Sequence, residues 1–301
     1  MRKSLVAALA TATSATAALL AGPVTPASAA AAFCDRTTPS TSILFYKAGT
    51  GEAATGTLSG GHWRARATLR LPAGYTHAAA SRDSLLLYDK STGAGESGTF
   101  TGGTYTRTRH HAFAPGWTFV EASGDSVLFY DGTNGHGSTG TLKNGAFRQV
   151  RAYDNFSPNW GTMAASCDTL VSAARHGGPE FPWSNLGAGT LTGGVYRHRS
   201  EIPRGDFLGE LTATDDSVLS WARVGRELRF GVSEATDGTG VSFRRAGTSG
   251  IWDKVGRTSD SLLFYKNDGT AWTSTLVGGA YTNVGPLPHV SSGWTLIEGG
   301  V

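Results

Sequence analysis

The chain has 301 residues, with 26 Lys and Arg against 23 Asp and Glu, 42 Gly and two Cys. So even a balance is no electrostatic footprint for nucleic acid and supplies no polybasic membrane patch. Two cysteines fall short of the roughly four ligands of a structural zinc site, and the eight His lie in no zinc-helix or nucleophile-elbow pattern, so no metal or cofactor is expected.

Arg2 and Lys3 precede a small, apolar run from Leu5 to Leu20, and Ala27-Ser28-Ala29 follows. That order reads as a secretory signal peptide over residues 1–29. No other run approaches the ~20 apolar residues of a membrane span, so the expectation is an exported chain with no membrane insertion. Without Arg2 and Lys3 the basic excess falls to a single charge. Residues 30–40 form a short lead that carries Cys34. In an exported chain Cys34 and Cys167 suggest one disulfide, with two unpaired thiols as the alternative.

From Thr41 onward the sequence repeats itself. Copies begin at Thr41, Asp83, Asp125, Asp168, Asp216 and Asp260 and fill residues 41–301. Each holds a strand such as GWTFVEA (116–122), a run such as SLLFY, a Gly-rich turn, a TGTL-like strand, a two-residue turn and a last strand opening on an aromatic. The Gly60-Gly61, Gly102-Gly103, Asn144-Gly145, Gly193-Gly194 and Gly278-Gly279 pairs suit a type I′ hairpin, which needs positive φ at both positions. Such turns set Leu58 opposite Trp63, Phe100 opposite Tyr105, Leu142 opposite Phe147, Leu191 opposite Tyr196 and Leu276 opposite Tyr281, all favourable cross-strand pairs. Runs like SLLFY are apolar on both faces, as a strand covered on both sides requires. The expected fold is all-β: a six-bladed β-propeller of four-stranded antiparallel blades. The last repeat strand, GWTLIEG (293–299), has no unit after it, and the first unit lacks that strand, so pairing of the two ends would close the ring.

No catalytic residue stands out. The recurrent Asp83, Asp125, Asp168, Asp216 and Asp260 are expected to cap turns. Repetition favours several similar binding sites, which gain from avidity by roughly 10²–10⁴. Sugars suit such sites, with an aromatic platform beside a few polar groups. The candidates are Tyr46 with Lys47, Tyr88 with Asp89, Tyr130 with Asp131 and Tyr265 with Lys266. Trp117, Trp160, Trp252 and Trp294 form a second set that reads more readily as core. Repeats four and five lose the Tyr, and repeat four carries the insertion GGPEFPWSNLGAG (177–189). Phe181, Trp183 and Leu186 on it are candidates for an apolar protein-docking loop, the alternative being a loop folded over its own blade.

The recurring Trp, LFY and Gly pattern resembles the tachylectin-like or tectonin-like propeller lectins, above all secreted actinobacterial ones, over residues 41–301. The resemblance implies carbohydrate binding at sites repeated round the ring. It extends to the lectin subunits of Streptomyces umbrella toxin particles, which implies other protein subunits as partners. The reading is therefore a secreted, non-catalytic, glycan-binding propeller. The alternatives are a protein-binding scaffold, adaptor or inhibitor, and a secreted propeller glycosidase.

Overall fold

Alternation along the five-residue strand Ser42–Tyr46 decides the architecture. Leu44 and Tyr46 pack in one core with Leu85 and Leu87, while Ile43 and Phe45 pack in another with Leu263 and Tyr265. In the strand Ser84–Tyr88, Leu85 and Leu87 face back and Leu86 and Tyr88 face forward to Val127 and Phe129. Each such strand is therefore covered on both sides by neighbouring sheets. Burying one Leu or Phe in this way stabilises by roughly 1.5–3 kcal/mol.

The computed structural model describes residues 37–175, 183–202, 209–224 and 227–301. It is a six-bladed β-propeller, six four-stranded antiparallel sheets with a core between each pair of neighbours. Blade 3 is typical, with an inner strand Phe119–Ala122, then Ser126–Asp131, His136–Lys143 and the outer strand Ala146–Tyr153. Blade 1 takes its inner strand from the far end of the chain. Leu296–Gly299 pairs with Ser42–Tyr46, Ile43 opposite Gly299, so the ring closes as expected.

The five expected cross-strand pairs all form. The paired turn residues have positive φ, as at Asn144 (51°) and Gly145 (75°). Blade 5 reaches the same turn at Asp237-Gly238, with φ of 53° and 74° and a bridge between Thr236 and Thr239. Ala235 and Gly240 stand there in the places of the apolar pair, so the aromatic that marks the turn elsewhere is missing.

The repeated aspartates cap turns, but in the next blade rather than their own. Asp83 accepts from Asn144 N–H at 3.0 Å, Asp125 from Gly193, Asp168 from Asp237, Asp216 from Gly278 and Asp260 from Gly60. The hydroxyl residue after each aspartate takes the second turn N–H, as Ser84 does from Gly145 at 2.7 Å. A hydrogen bond to a charged group contributes about 1.5–3 kcal/mol. Blade 1 has Thr41 in place of the aspartate and keeps only the serine bond, Gly103 N–H to Ser42 Oγ at 3.0 Å.

Two further circuits tie the blades near the channel. Backbone bonds run from Arg82 N–H to Gly124, Gly124 to Cys167, Cys167 to Asp215, Asp215 to Ser259 and Ser259 to Ser40. Ser81, Ser123, Ser166, Thr214 and Thr258 each donate to a carbonyl of the following blade. The channel itself is spanned by Arg257 of blade 6. Its guanidinium donates to the carbonyls of Ala122 and Ala165 in blades 3 and 4, and to Glu298 at 3.2 Å and Glu121 at 3.3 Å.

Candidate binding clefts between the blades

The four candidate tyrosines are not sugar platforms. Tyr46, Tyr88, Tyr130 and Tyr265 are each 0% exposed. Each hydroxyl donates to a carbonyl in the link to the next blade: Pro72, Ala114, Ser157 and Ser291, at 2.6–3.0 Å. Each also accepts the N–H of Tyr75, Trp117, Trp160 or Trp294. A buried phenol needs such partners. The tyrosine is thus a brace that fixes the link and the aromatic after it.

Their polar neighbours serve the same loops. The hydroxyls of Thr92 and Ser91 bond Asp89 and hold it below the usual carboxylate range. Asp131 accepts from Thr133 N–H at 2.9 Å. Lys47 pairs with Glu52 at 3.0 Å and lies over the Trp294 ring, and Lys266 lies over Trp252.

What the braces position is a cleft at the junction of neighbouring blades. Between blades 3 and 4 it measures about 640 Å³, walled by Tyr153, Phe156, Trp160 and Tyr196, with Arg151, Asn155, His198 and Glu201 at its polar side. The rings pack at a tilt, Phe156 lying 5.1 Å from Trp160 and 5.3 Å from Tyr196. Tyr153 Oη bonds both the carbonyl and the N–H of Tyr196, locking blade 3 to blade 4 across the cleft. Gly137 makes room for the Phe156 edge, since a β-carbon there would sit 2.2 Å from that ring.

The same construction recurs. Between blades 2 and 3 a cleft of about 290 Å³ is lined by Phe113, Trp117, Phe129 and Phe147, with His136, Gln149 and Asp154. Between blades 6 and 1 one of about 140 Å³ is lined by Phe45, Trp63 and Trp294, with His289 and Ser291. Phe45 and Phe129 immediately precede the bracing tyrosines, and Trp63, Phe147 and Tyr196 follow the hairpin turns. Trp117, Trp160 and Trp294 are therefore core and cleft wall at once.

One position on the third strand sets the free space. It is Gly187 in blade 4, Ser138 in blade 3 and Ala54 in blade 1, opposite Ser172, Phe129 and Phe45 respectively. In blade 2 it is Glu96, wholly buried, accepting from Tyr105 Oη at 3.0 Å with Arg107 at 3.5 Å. In blade 6 it is Trp272, whose Nε1 bonds Asn283.

Of the repeat-four docking candidates, Leu186 is not exposed. Trp183–Thr192 is the third strand of blade 4, and Leu186 is buried with Val171, Val218 and Phe243. Leu186 is therefore core rather than an exposed anchor. Phe181 lies outside the described residues, as do Cys34 and the leader. Cys167 is buried beside the channel, with its Sγ 3.0 Å from Arg82 Nη2. Among the described residues no group of His, Cys, Asp and Glu is placed to hold a metal, and no helix is long and apolar enough to cross a membrane.

No protein-family model matches the chain, and no curated protein matches it. It is similar in structure to a functionally unknown protein from Desulfotomaculum acetoxidans DSM 771, at 9% identity and a TM-score of 0.53, over 83% of this chain and 81% of that one. A protein named "putative 6-phosphogluconolactonase" from Bacteroides uniformis ATCC 8492 matches at 12% identity and a TM-score of 0.51, over 86% of this chain and 99% of the other. One of the same name from Bacteroides fragilis NCTC 9343 matches at 8% and 0.50, over 89% and 99%. At these identities the likeness is one of fold.

Proposed function

We propose that this chain is an exported, multivalent glycan-binding propeller that acts by binding and not by catalysis. The observation that carries the proposal is recurrence. Three inter-blade junctions present a concave, aromatic-walled cleft with polar side chains at its edge. The apolar C–H face of a pyranose stacks on such rings, and its hydroxyls meet the His, Gln, Asn and carboxylate groups around them. Similar sites round one rigid ring favour surfaces that display many copies of a glycan. The likeness to umbrella-particle lectins extends this to a targeting role within a larger secreted assembly.

A glycan array tests the reading. The purified chain should bind a defined subset of glycans. A triple variant with Ala54→Trp, Ser138→Trp and Gly187→Trp, which copies the Trp272 side chain of blade 6 into the clefts, should fold and lose that binding. A folded wild-type chain that binds no glycan, or a triple variant that binds as well, contradicts the proposal.

A further inference from the structure

The small net charge of the whole chain, +3, conceals a strong local excess. The outer strands of blades 1 to 5 are His62–Arg70, Thr104–Ala112, Ala146–Tyr153, Val195–Glu201 and Arg244–Ser249. Each carries two or three arginines, all exposed, and the only acidic residue on the five is Glu201. Arg64, Arg66, Arg109, Arg148 and Arg197 have no acidic partner among the described residues. Blade 6 differs, because its outer strand Ala280–Leu287 has no charged residue. The rim is a basic arc with one neutral gap.

Arginine stems cross two of the four junctions within the arc, whereas Thr108 and Val150 lie at the other two. A β-carbon on Gly103 of blade 2 would fall 2.7 Å from Arg66 Cγ of blade 1, and one on Gly238 of blade 5 would fall 2.9 Å from Arg199 Cγ of blade 4. These arginine stems lie across the neighbour's turn. Charges on an edge strand also guard it against pairing with other strands. That guard works with either sign, whereas here the sign is uniform and the edge of blade 6 has no charge at all.

We propose that this arc binds an acidic polysaccharide, an extended chain with recurring carboxylates, lying along the rim over several blades. Guanidinium matches carboxylate by paired, charge-assisted hydrogen bonds. Duplex nucleic acid fits poorly, because its persistence length of about 150 base pairs makes bending round so small a convex ring costly. Single-stranded nucleic acid is held by exposed aromatic platforms. The large hydrophobics exposed on the described surface are Val150, Val277 and Val284, with no aromatic among them. The inference does not depend on the clefts.

The test is calorimetric titration of the purified chain with polygalacturonate, with dextran, a 30-base-pair DNA duplex and oligo(dT) in parallel. Polygalacturonate should bind at about 50 mM salt and at least tenfold more weakly at about 300 mM, as screening of exposed charge requires. The Arg64→Gln, Arg66→Gln, Arg109→Gln variant should bind at least tenfold more weakly at the lower salt. Lys90→Gln, off the rim, should bind as the wild type does. No binding of polygalacturonate at low salt overturns the proposal. So does unchanged affinity in the triple variant, or DNA binding as tight as polygalacturonate binding.

Discussion

The junction between blades 3 and 4 and the junction between blades 1 and 2 share a frame and differ in what fills it. Tyr130 and Tyr46 brace the two links in the same way, to Ser157 and Pro72. A Trp or Tyr follows each brace, Trp160 and Tyr75, and an aromatic follows each hairpin turn, Tyr196 and Tyr105. At the third-strand position, however, blade 4 has Gly187 and blade 2 has Glu96. One leaves a cleft of about 640 Å³, and the other buries a carboxylate against two tyrosines and Arg107. At these two junctions copying the blade therefore copies the scaffold, while the site depends on the size of one side chain.

If the frame is shared, breaking it should cost the same at both junctions. Tyr46→Ala and Tyr130→Ala should each destabilise by roughly 3–5 kcal/mol, through the lost ring and the cavity left behind. Denaturant unfolding measures both, and a large difference between them would show that the junctions are not equivalent. The carboxylate staples come next. Asp125→Ala, which strips the cap from Gly193 and removes the ion pair with Lys143 at 3.0 Å, should lose roughly 1.5–3 kcal/mol. The reverse change at the other junction is smaller. Thr41→Asp should supply the staple that blade 1 lacks and raise stability by about 1 kcal/mol.

The subtlest expectation concerns the channel that both junctions surround. Enclosure there, with Glu298 nearby, pushes the Glu121 carboxyl up to about 8, although Arg257 draws it down. The folded chain then holds this proton more tightly than the unfolded chain does. Its contribution to stability should fall as pH rises from about 4.5 to about 8. Melting temperatures across that window should decline less in Glu121→Gln than in the wild type. Parallel curves would place the proton elsewhere.

The fold was legible because its signals are local. Gly-Gly turns, alternation in SLLFY and a stranded last strand each point to the same ring. The candidate site was only half legible. A Tyr at the end of an apolar strand, followed by Lys or Asp, looks alike whether its ring is exposed or braced. The deciding partner is a carbonyl 26 residues away in the case of Tyr46 and Pro72. The cleft walls come from separate segments, as with Trp117, Phe129 and Phe147, and each reads alone as ordinary core. The signal that could have found them was the small residue at Ala54, Ser138 and Gly187 opposite the second strand of the blade. The basic rim was visible strand by strand but vanished in the whole-chain balance.

The most direct test of the central claim is a count of glycan sites by native mass spectrometry, using the tightest glycan from the array. The wild type should take up three ligands, Gly187→Trp two, and Glu96→Ser should gain occupancy at the junction of blades 1 and 2. A folded wild type with no bound glycan, or the same count in Gly187→Trp as in the wild type, would contradict the assignment of binding to the inter-blade clefts.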